Sequence, residues 1–268
     1  MLELEHGFRV VDVHARLDPD VDTSARGRAI TPEHLEREMH QAGIIRTVVF
    51  PGPEPDNLLR ANNAVARHAV DRPFVAFARI NGPRDPSGTP VARLKNLTAS
   101  RSEDHVTPDD IERYGYDDRF HGFKLSPARD GLPNDDVLDV LDDVGNPVLV
   151  HVGERFTPAA LEATLLQRTF PVIIAHFGGY PLNRTLMGET LDLLNQHECY
   201  VDTSVVRFRD VLERAMLEHP DRVLFGSGAP DVHPIVGVME LLTLDVPEDG
   251  MRKAFSKNPA RVVPVLDE

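Results

Sequence analysis

Three histidines of this chain each follow a short apolar run, and the three runs lie far apart in the sequence. They are His14 after residues 8–13, His151 after residues 147–150, and His176 after residues 171–175. Apolar runs of this length are typical of buried β-strands, so each imidazole is expected at the carboxyl end of a different strand. In a parallel barrel these ends meet on one face, where histidines bind metals or exchange protons with a substrate. The three positions therefore predict a catalytic or binding site.

The strands and helices that position these histidines are predicted from the alternation of segment types along the chain. Short apolar runs alternate with longer amphipathic segments, which is the pattern of successive β-α-β units. Eight strands fit at residues 8–14, 46–50, 74–80, 121–125, 148–151, 172–176, 199–203 and 222–225. Continuous apolar runs indicate strands covered on both faces. The sequence therefore predicts an α/β fold, a single (β/α)8 TIM barrel over residues 1–268. An open doubly wound sheet is the alternative, but the first strand lacks a glycine-rich dinucleotide loop.

Local signals add detail to this barrel. Residues 82–118 contain several prolines and charged clusters and are too long for an ordinary connection, so we expect an insertion with short helices. This insertion is either a lid over the barrel mouth or a plain surface segment.

Thr31 followed by Pro32 predicts a helix start, and His233 before Pro234 predicts another. The single cysteine, Cys199, lies in an apolar stretch and is expected to be a buried thiol.

Composition excludes several classes of function. The formal net charge is -14, with 43 acidic and 29 basic residues, which disfavours binding to nucleic acid. No stretch approaches the roughly 20 apolar residues of a membrane span, and the N-terminal residues do not resemble a targeting leader. We therefore expect a cytoplasmic, acidic protein that acts on a small molecule and has neither nucleic acid nor membrane as a partner.

Six segments, in order along the whole chain, resemble the amidohydrolase superfamily. They are DVHAR at 12–16, GFKLSP at 122–127, VHVG at 150–153, AHFGG at 175–179, FGSGAP at 225–230 and NPAR at 258–261. More narrowly, they are similar to the branch that contains small-ring hydrolases and nonoxidative aromatic-acid decarboxylases. The resemblance implies a TIM barrel with a divalent metal, normally zinc, at its carboxyl face.

The resemblance also implies roles for individual residues. In the family, a His-x-His motif and a later histidine bind the metal; this chain matches them with His14 and His151 but has Arg16 at the second histidine. The histidine that polarises water or substrate corresponds to His176. The metal-binding carboxylate after the eighth strand is replaced by Gly228, and Asp231, three residues further on, is a displaced candidate.

Because two of the family's metal ligands are replaced, the site could work in either of two ways. In the first, His14, His151 and His176 hold the metal, because a catalytic zinc needs three protein ligands and one open position. In the second, Arg16 and Lys124 replace its charge and hold a carboxylate or a developing oxyanion, with His176 or His151 as acid/base. Structural roles are also open: His14 and His151 as core histidines, and Lys124 paired with Asp202.

The leading functional prediction is a hydrolase of a small carboxylate-bearing amide or lactone, with His176, Arg16, Lys124 and Asp231 as catalytic residues. One alternative is a nonoxidative decarboxylase, in which a histidine protonates the carbanion left by the loss of carbon dioxide. Another is a non-catalytic barrel that binds a small ligand. Barrels of this family often pair, so a homodimer is expected.

Overall fold

The computed structural model describes residues 3–18, 31–52, 57–87, 89–98 and 100–267. Its centre is a parallel sheet of eight strands, in which each strand pairs with the next one in the sequence. The strands are β1 Val10–Arg16, β2 Ile44–Phe50, β3 Phe74–Ile80, β4 Phe120–Leu125, β5 Val148–Gly153, β6 Val172–Tyr180, β7 Cys199–Asp202 and β8 Val223–Leu224. This order confirms the predicted TIM barrel.

Backbone hydrogen bonds between β1 and the chain around the end of β8 nearly close the barrel. The Val13 N–H donates to the Phe225 carbonyl at 2.9 Å, and the Gly228 N–H donates to the His14 carbonyl at 2.9 Å. Closure satisfies edge groups that an open sheet would leave unpaired. It also places the residues after β8 directly beside the end of β1.

Helices surround the sheet. They are α1 Pro32–Gln41, α2 Leu58–Val70, α3 Pro90–Asn96, α4 Pro108–Gly115, α5 Pro127–Asp130, α6 Asp135–Val144, α7 Pro158–Glu162, α8 Arg184–Gln196, α9 Arg209–Glu218, α10 Pro234–Leu242, α11 Glu248–Arg252 and α12 Asn258–Val262. Short 3₁₀ turns cover Leu165–Gln167 and Pro264–Asp267, and Lys253–Lys257 is π-helical. Thr31 caps α1 and His233 caps α10, as the sequence predicted. None of the helices in the described ranges has both the length and the hydropathy that a membrane crossing requires.

The hydrophobic core has two parts. A large cluster lies between the strands and the helices, and a smaller one fills the barrel with inward side chains such as Val11, Phe77 and Ile173. The C-terminal residues join this inner cluster through Leu266, whose carbonyl accepts a hydrogen bond from Arg9 at 2.9 Å. The chain end therefore covers the amino ends of the strands, and the site lies at the opposite end.

The segment 82–118 contains two short helices, α3 and α4, and the second of them packs on the barrel. The helix α4 buries Ile111 and Tyr114 and packs against α6 and β4. The Tyr114 ring meets the Phe120 ring edge to face, with ring centroids 5.0 Å apart. This part of the predicted insertion is therefore the connecting helix between β3 and β4, and the irregular stretch before it is shorter than the sequence indicated. Cys199 is fully buried, as expected.

Candidate active site

A cavity of about 530 Å³ opens at the carboxyl ends of the strands. It brings together the residues that the sequence singled out, namely His14, Arg16, Lys124, His151, His176 and Asp231. None of the described residues of segment 82–118 lines this cavity. The lid hypothesis therefore has no support in the described part of the segment.

A short polar contact at the base of the site joins a histidine to an aspartate. His14 Nδ1 lies 2.6 Å from Asp202 Oδ2, and both side chains are buried. Asp202 Oδ1 accepts three further hydrogen bonds, from the backbone N–H groups of His176 and Ser204 at 2.8 and 3.0 Å and from Ser204 Oγ at 2.5 Å. Burial opposes the charged form, yet attraction and hydrogen bonding from His14 keep the pKa of Asp202 well below its usual value. Asp202 is therefore an ionised and fully hydrogen-bonded carboxylate.

This carboxylate selects the tautomer of His14. Because Asp202 accepts at Nδ1, the ring proton lies on Nδ1, and Nε2 is left as an acceptor. Burial lowers the pKa of His14 and outweighs the opposing effect of Asp202. The ring is therefore neutral near pH 7, which is the form that can take up a proton.

His176 also carries its ring proton on Nδ1, but its partner there is Ser204 and not Asp202 itself. Its Nδ1 lies 2.8 Å from Ser204 Oγ, and that hydroxyl donates its own proton to Asp202, so its oxygen accepts from Nδ1–H. Burial, followed by the nearby His14, lowers the pKa of His176 to about 3. The His14 and His176 ring centroids are 4.7 Å apart. The site thus contains two neighbouring neutral imidazoles anchored through Nδ1.

The backbone that presents His176 is strained. His176, Phe177 and Gly178 have φ values of 56°, 53° and 69°, three successive left-handed residues in the second half of β6. For side chains other than glycine this conformation costs on the order of 1–3 kcal/mol per residue and is concentrated at functional sites. A Cβ on Gly178 would lie 2.1 Å from Thr190 Oγ1, so the third position requires glycine.

His151 completes an aromatic cluster on β5 and β6. Its ring centroid lies 4.7 Å from that of His176 and 4.5 Å from that of Tyr180. Burial, with a further contribution from His176, holds the pKa of His151 well below its usual value. All three predicted histidines are therefore neutral rings that face one cavity.

A buried lysine lies among these rings. Lys124 is 2% exposed, and its Nζ has no hydrogen-bond partner among the described residues. The ammonium lies 5.1 Å from the centroid of the Phe50 ring. Burial lowers the pKa of Lys124 to about 7, against the attraction of Asp202 and with added repulsion from Arg79. The sequence left open a pairing of Lys124 with Asp202, but the carboxylate bonds to His14, His176 and Ser204 instead.

Arginines supply most of the remaining charge of the cavity. Arg16 Nη2 lies 3.7 Å from Asp231 Oδ1 and Nε lies 3.5 Å from Asp18 Oδ2, although the buried Nε forms no hydrogen bond in the described ranges. Arg79 is held by Asp130 at 2.8 Å. Two more arginines, Arg129 and Arg155, lie at the rim. Five cationic and two acidic side chains line the cavity of a chain whose net charge is -14. Such a concentration of one sign attracts anionic ligands.

Comparison with known families agrees with this architecture. A model of the amidohydrolase family matches residues 11–265. The chain belongs to the amidohydrolase family. The match confirms the resemblance that the six sequence segments indicated. No curated protein shows significant sequence similarity to the chain.

Solved structures of other proteins share the fold of this amidohydrolase family member. An uncharacterized TIM-barrel protein from Bordetella bronchiseptica is 16% identical, with a TM-score of 0.67 over 97% of this chain and 100% of that one. Dihydroxybenzoic acid decarboxylase from a Polaromonas species, with manganese and the inhibitor 2-nitroresorcinol, is 15% identical, with a TM-score of 0.64 over 96% and 97%. A probable 2-pyrone-4,6-dicarboxylic acid hydrolase from Acinetobacter baumannii, with citric acid bound, is 16% identical, with a TM-score of 0.62 over 96% and 100%. At these identities the likeness establishes the fold.

One group of potential metal ligands occurs among the described residues. Ligand atoms of His14, His176 and Asp202 all lie within 4.8 Å of one another. Both oxygens of Asp202 already accept hydrogen bonds, however, and His14 uses Nδ1 for one of them. A metal inside this triangle would have to replace those bonds, whereas the Nε2 atoms remain available to the cavity.

Sequence reasoning missed the central role of Asp202 and the role of Asp12. Asp12 Oδ1 accepts from the backbone N–H groups of His14 and Ser227, and Oδ2 accepts from Ser227 Oγ at 2.6 Å. Burial raises the pKa of Asp12 to about 7. Each aspartate occurs in a buried strand two residues before a site residue, His14 or Ser204, and this spacing is the signal that could have identified them.

Proposed function

We propose that this amidohydrolase family member hydrolyses a small carboxylate-bearing lactone or amide. The observation that carries the proposal is the buried His14–Asp202 pair, 2.6 Å apart, at the base of a cationic cavity. Such a pair is the arrangement by which enzymes orient an imidazole as a general base. The solved relatives support an anionic substrate, because one has citric acid bound and is named as a dicarboxylic acid hydrolase.

The cationic side chains bind and polarise the substrate. Arg16 Nε lies 3.5 Å from Asp18 Oδ2 but forms no hydrogen bond with any described residue, so a substrate carboxylate can supply a charge-assisted one. Asp231, 3.7 Å from Arg16, limits the directions that the guanidinium can take. Lys124 in its ammonium form stabilises the oxyanion that develops when water attacks a carbonyl.

The two imidazoles activate the water. Their ring centroids are 4.7 Å apart, so one water can donate one hydrogen to each Nε2. His14 accepts the proton as water attacks, and Asp202 stabilises the imidazolium that forms. His14 then returns the proton to the leaving oxygen or nitrogen, while His176 holds the water in place. In this proposal His14 replaces His176 as the principal acid/base.

A metal-dependent form of the reaction is the second candidate, with His14, His151 and His176 as ligands of zinc. A bound metal would polarise a water or a carbonyl. The residues fit this role poorly, because Arg16 and Lys124 are cations and Gly228 offers no carboxylate. A divalent cation at the three rings would be repelled by two partly desolvated positive charges. We therefore propose that Arg16 and Lys124 supply the positive charge that a metal would otherwise supply.

Elemental analysis separates these two forms. We expect substoichiometric zinc and manganese in protein purified without a chelator, and unchanged activity after dialysis against one. One equivalent of zinc that disappears in the His14→Ala/His151→Ala double variant would overturn the assignment to Arg16 and Lys124.

Decarboxylation, the activity named for one solved relative, is the alternative chemistry. The cations would bind the carboxylate that must leave as carbon dioxide. This binding stabilises the ground state rather than the transition state. The same cations stabilise the oxyanion of hydrolysis, which favours the hydrolytic proposal. A purely binding barrel would show affinity for carboxylates without turnover.

A substrate panel tests the proposal. Matched lactones and amides with and without a carboxylate would be assayed with the wild type and with Arg16→Gln. We expect turnover of the carboxylate-bearing members only, and a KM higher by ~10- to 100-fold in the variant, as for the loss of one bond to a charged group. Release of carbon dioxide from carboxylic acids without any hydrolysis would replace the proposal with the decarboxylase. Melting points raised by carboxylates that are never turned over would favour the binding barrel.

A further inference from the structure

Lys124 differs from the three other lysines of the chain. Lys253 and Lys257 pair with aspartates, at 3.2 and 2.9 Å, and Lys95 is exposed. Lys124 is buried, lines the cavity, and has no acceptor for its Nζ among the described residues. A buried ammonium without a hydrogen-bond acceptor is costly in such a place. The hydrolytic mechanism uses only the charge of this group, and its nucleophilicity is unused.

The surroundings of the amine favour its uncharged form. Its nitrogen is buried, and this desolvation outweighs the cation–π attraction that the Phe50 ring, 5.1 Å away, offers the ammonium. Arg79 repels the ammonium and is itself bound by Asp130 and by the Gly52 carbonyl at 2.8 and 2.7 Å. Desolvation and a neighbouring cation are the two means by which proteins activate a lysine as a nucleophile. Burial brings the pKa of Lys124 to about 7, so amine and ammonium coexist at neutral pH.

We propose that the amine of Lys124 condenses with the carbonyl group of a small keto acid to form a Schiff base. This activity goes beyond hydrolysis, because the substrate becomes covalently attached to the chain. The cavity suits this substrate class, since Arg16 can bind the carboxylate while the carbonyl carbon meets Nζ. His14 lies in the same cavity and can transfer the protons.

The condensation is balanced by groups already present. The lone pair of Nζ attacks the carbonyl carbon, and the carbonyl electrons move to oxygen. The nitrogen loses one proton to His14 Nε2, and His14 passes it to that oxygen, which becomes a hydroxyl. The nitrogen then loses its second proton to His14, which passes it to the hydroxyl, and the hydroxyl leaves as water while the C=N bond forms. The net change is loss of one water, with no oxidant or reductant.

Borohydride trapping tests the proposal on the full-length protein. The protein is incubated with pyruvate, reduced with sodium borohydride, and examined by intact mass and peptide mapping. We expect one reduced adduct, on Lys124, and none in Lys124→Arg, which keeps the positive charge. The matched control Lys253→Arg should label like the wild type. Adducts spread over the exposed lysines, or no adduct at all, would overturn the proposal.

A second comparison keeps the test decisive if Lys124→Arg fails to fold. Acetone has the carbonyl but not the carboxylate, so it should label Lys124 of the wild type about tenfold less than pyruvate, as for the loss of one bond to Arg16. Arg16→Gln should remove this difference. Equal labelling of Lys124 by pyruvate and acetone in the wild type would show that the keto acid is not selected. Neither trapping experiment depends on hydrolytic turnover.

Discussion

Replacement of Asp202 by asparagine would test the orientation of His14 most directly. The Oδ1 position accepts three hydrogen bonds, so the amide oxygen of asparagine should occupy it and the NH₂ group should face His14. That group donates and cannot accept, so it forces the ring proton of His14 onto Nε2. The imidazole then has no lone pair on the side of the cavity.

The structure sets the size of the effect. Loss of a positioned general base costs ~10²–10⁴-fold in kcat. The KM should change little, because Asp202 is fully buried and does not line the cavity. Unfolding free energy should fall by about 1.5–3 kcal/mol, the contribution of one hydrogen bond to a charged group.

Steady-state kinetics on a carboxylate-bearing lactone and urea unfolding would measure both effects. Glu162→Gln is the matched control, because it alters a partly exposed histidine–carboxylate pair, Glu162 with His197 at 3.0 Å, outside the cavity. The control should leave kcat unchanged. A folded Asp202→Asn protein with the kcat of the wild type would refute the role of His14 as the base.

Three further predictions concern pH and backbone strain. Burial lowers the pKa of His14 and brings that of Lys124 to about 7. The hydrolytic rate should therefore fall at low pH, as the His14 base is protonated, and above about pH 7, as the Lys124 ammonium is lost. A rate that does not fall between about pH 7 and about pH 9 would contradict this role of Lys124. His176 has a pKa of about 3 when folded and about 6.5 when unfolded, so the unfolded chain binds more protons between these values. Its contribution to stability is present above pH 6.5 and lost toward pH 3, which the urea midpoint of the wild type and of His176→Asn should reveal; identical pH slopes would count against it. Gly178→Ala should destabilise the fold by about 1–3 kcal/mol through overpacking and positive φ. Gly188→Ala, at an open helical position, should instead stabilise it by up to about 1 kcal/mol. Equal effects of the two substitutions in thermal unfolding would argue against backbone strain within β6.

Much of the fold could be predicted because its signals are local. The apolar runs of β1, β5 and β6 are continuous, and burial on both faces is enough to account for them. The caps at Thr31 and His233 also depend on neighbours in sequence. The segment 82–118 was harder to interpret, since α4 becomes a barrel helix only through its packing against α6 and β4.

The sequence by itself placed His14, His151 and His176 near the carboxyl ends of three separate strands, and the family resemblance implied that Arg16 and Gly228 replace metal ligands. Both inferences depend on strand periodicity and motif order, which are properties of the linear chain. The pairing of His14 with Asp202 was decided by the tertiary structure, because the two residues lie 188 positions apart and meet only when the barrel closes. Closure also buries Lys124 away from any acceptor in the described ranges, and no local pattern encodes that burial.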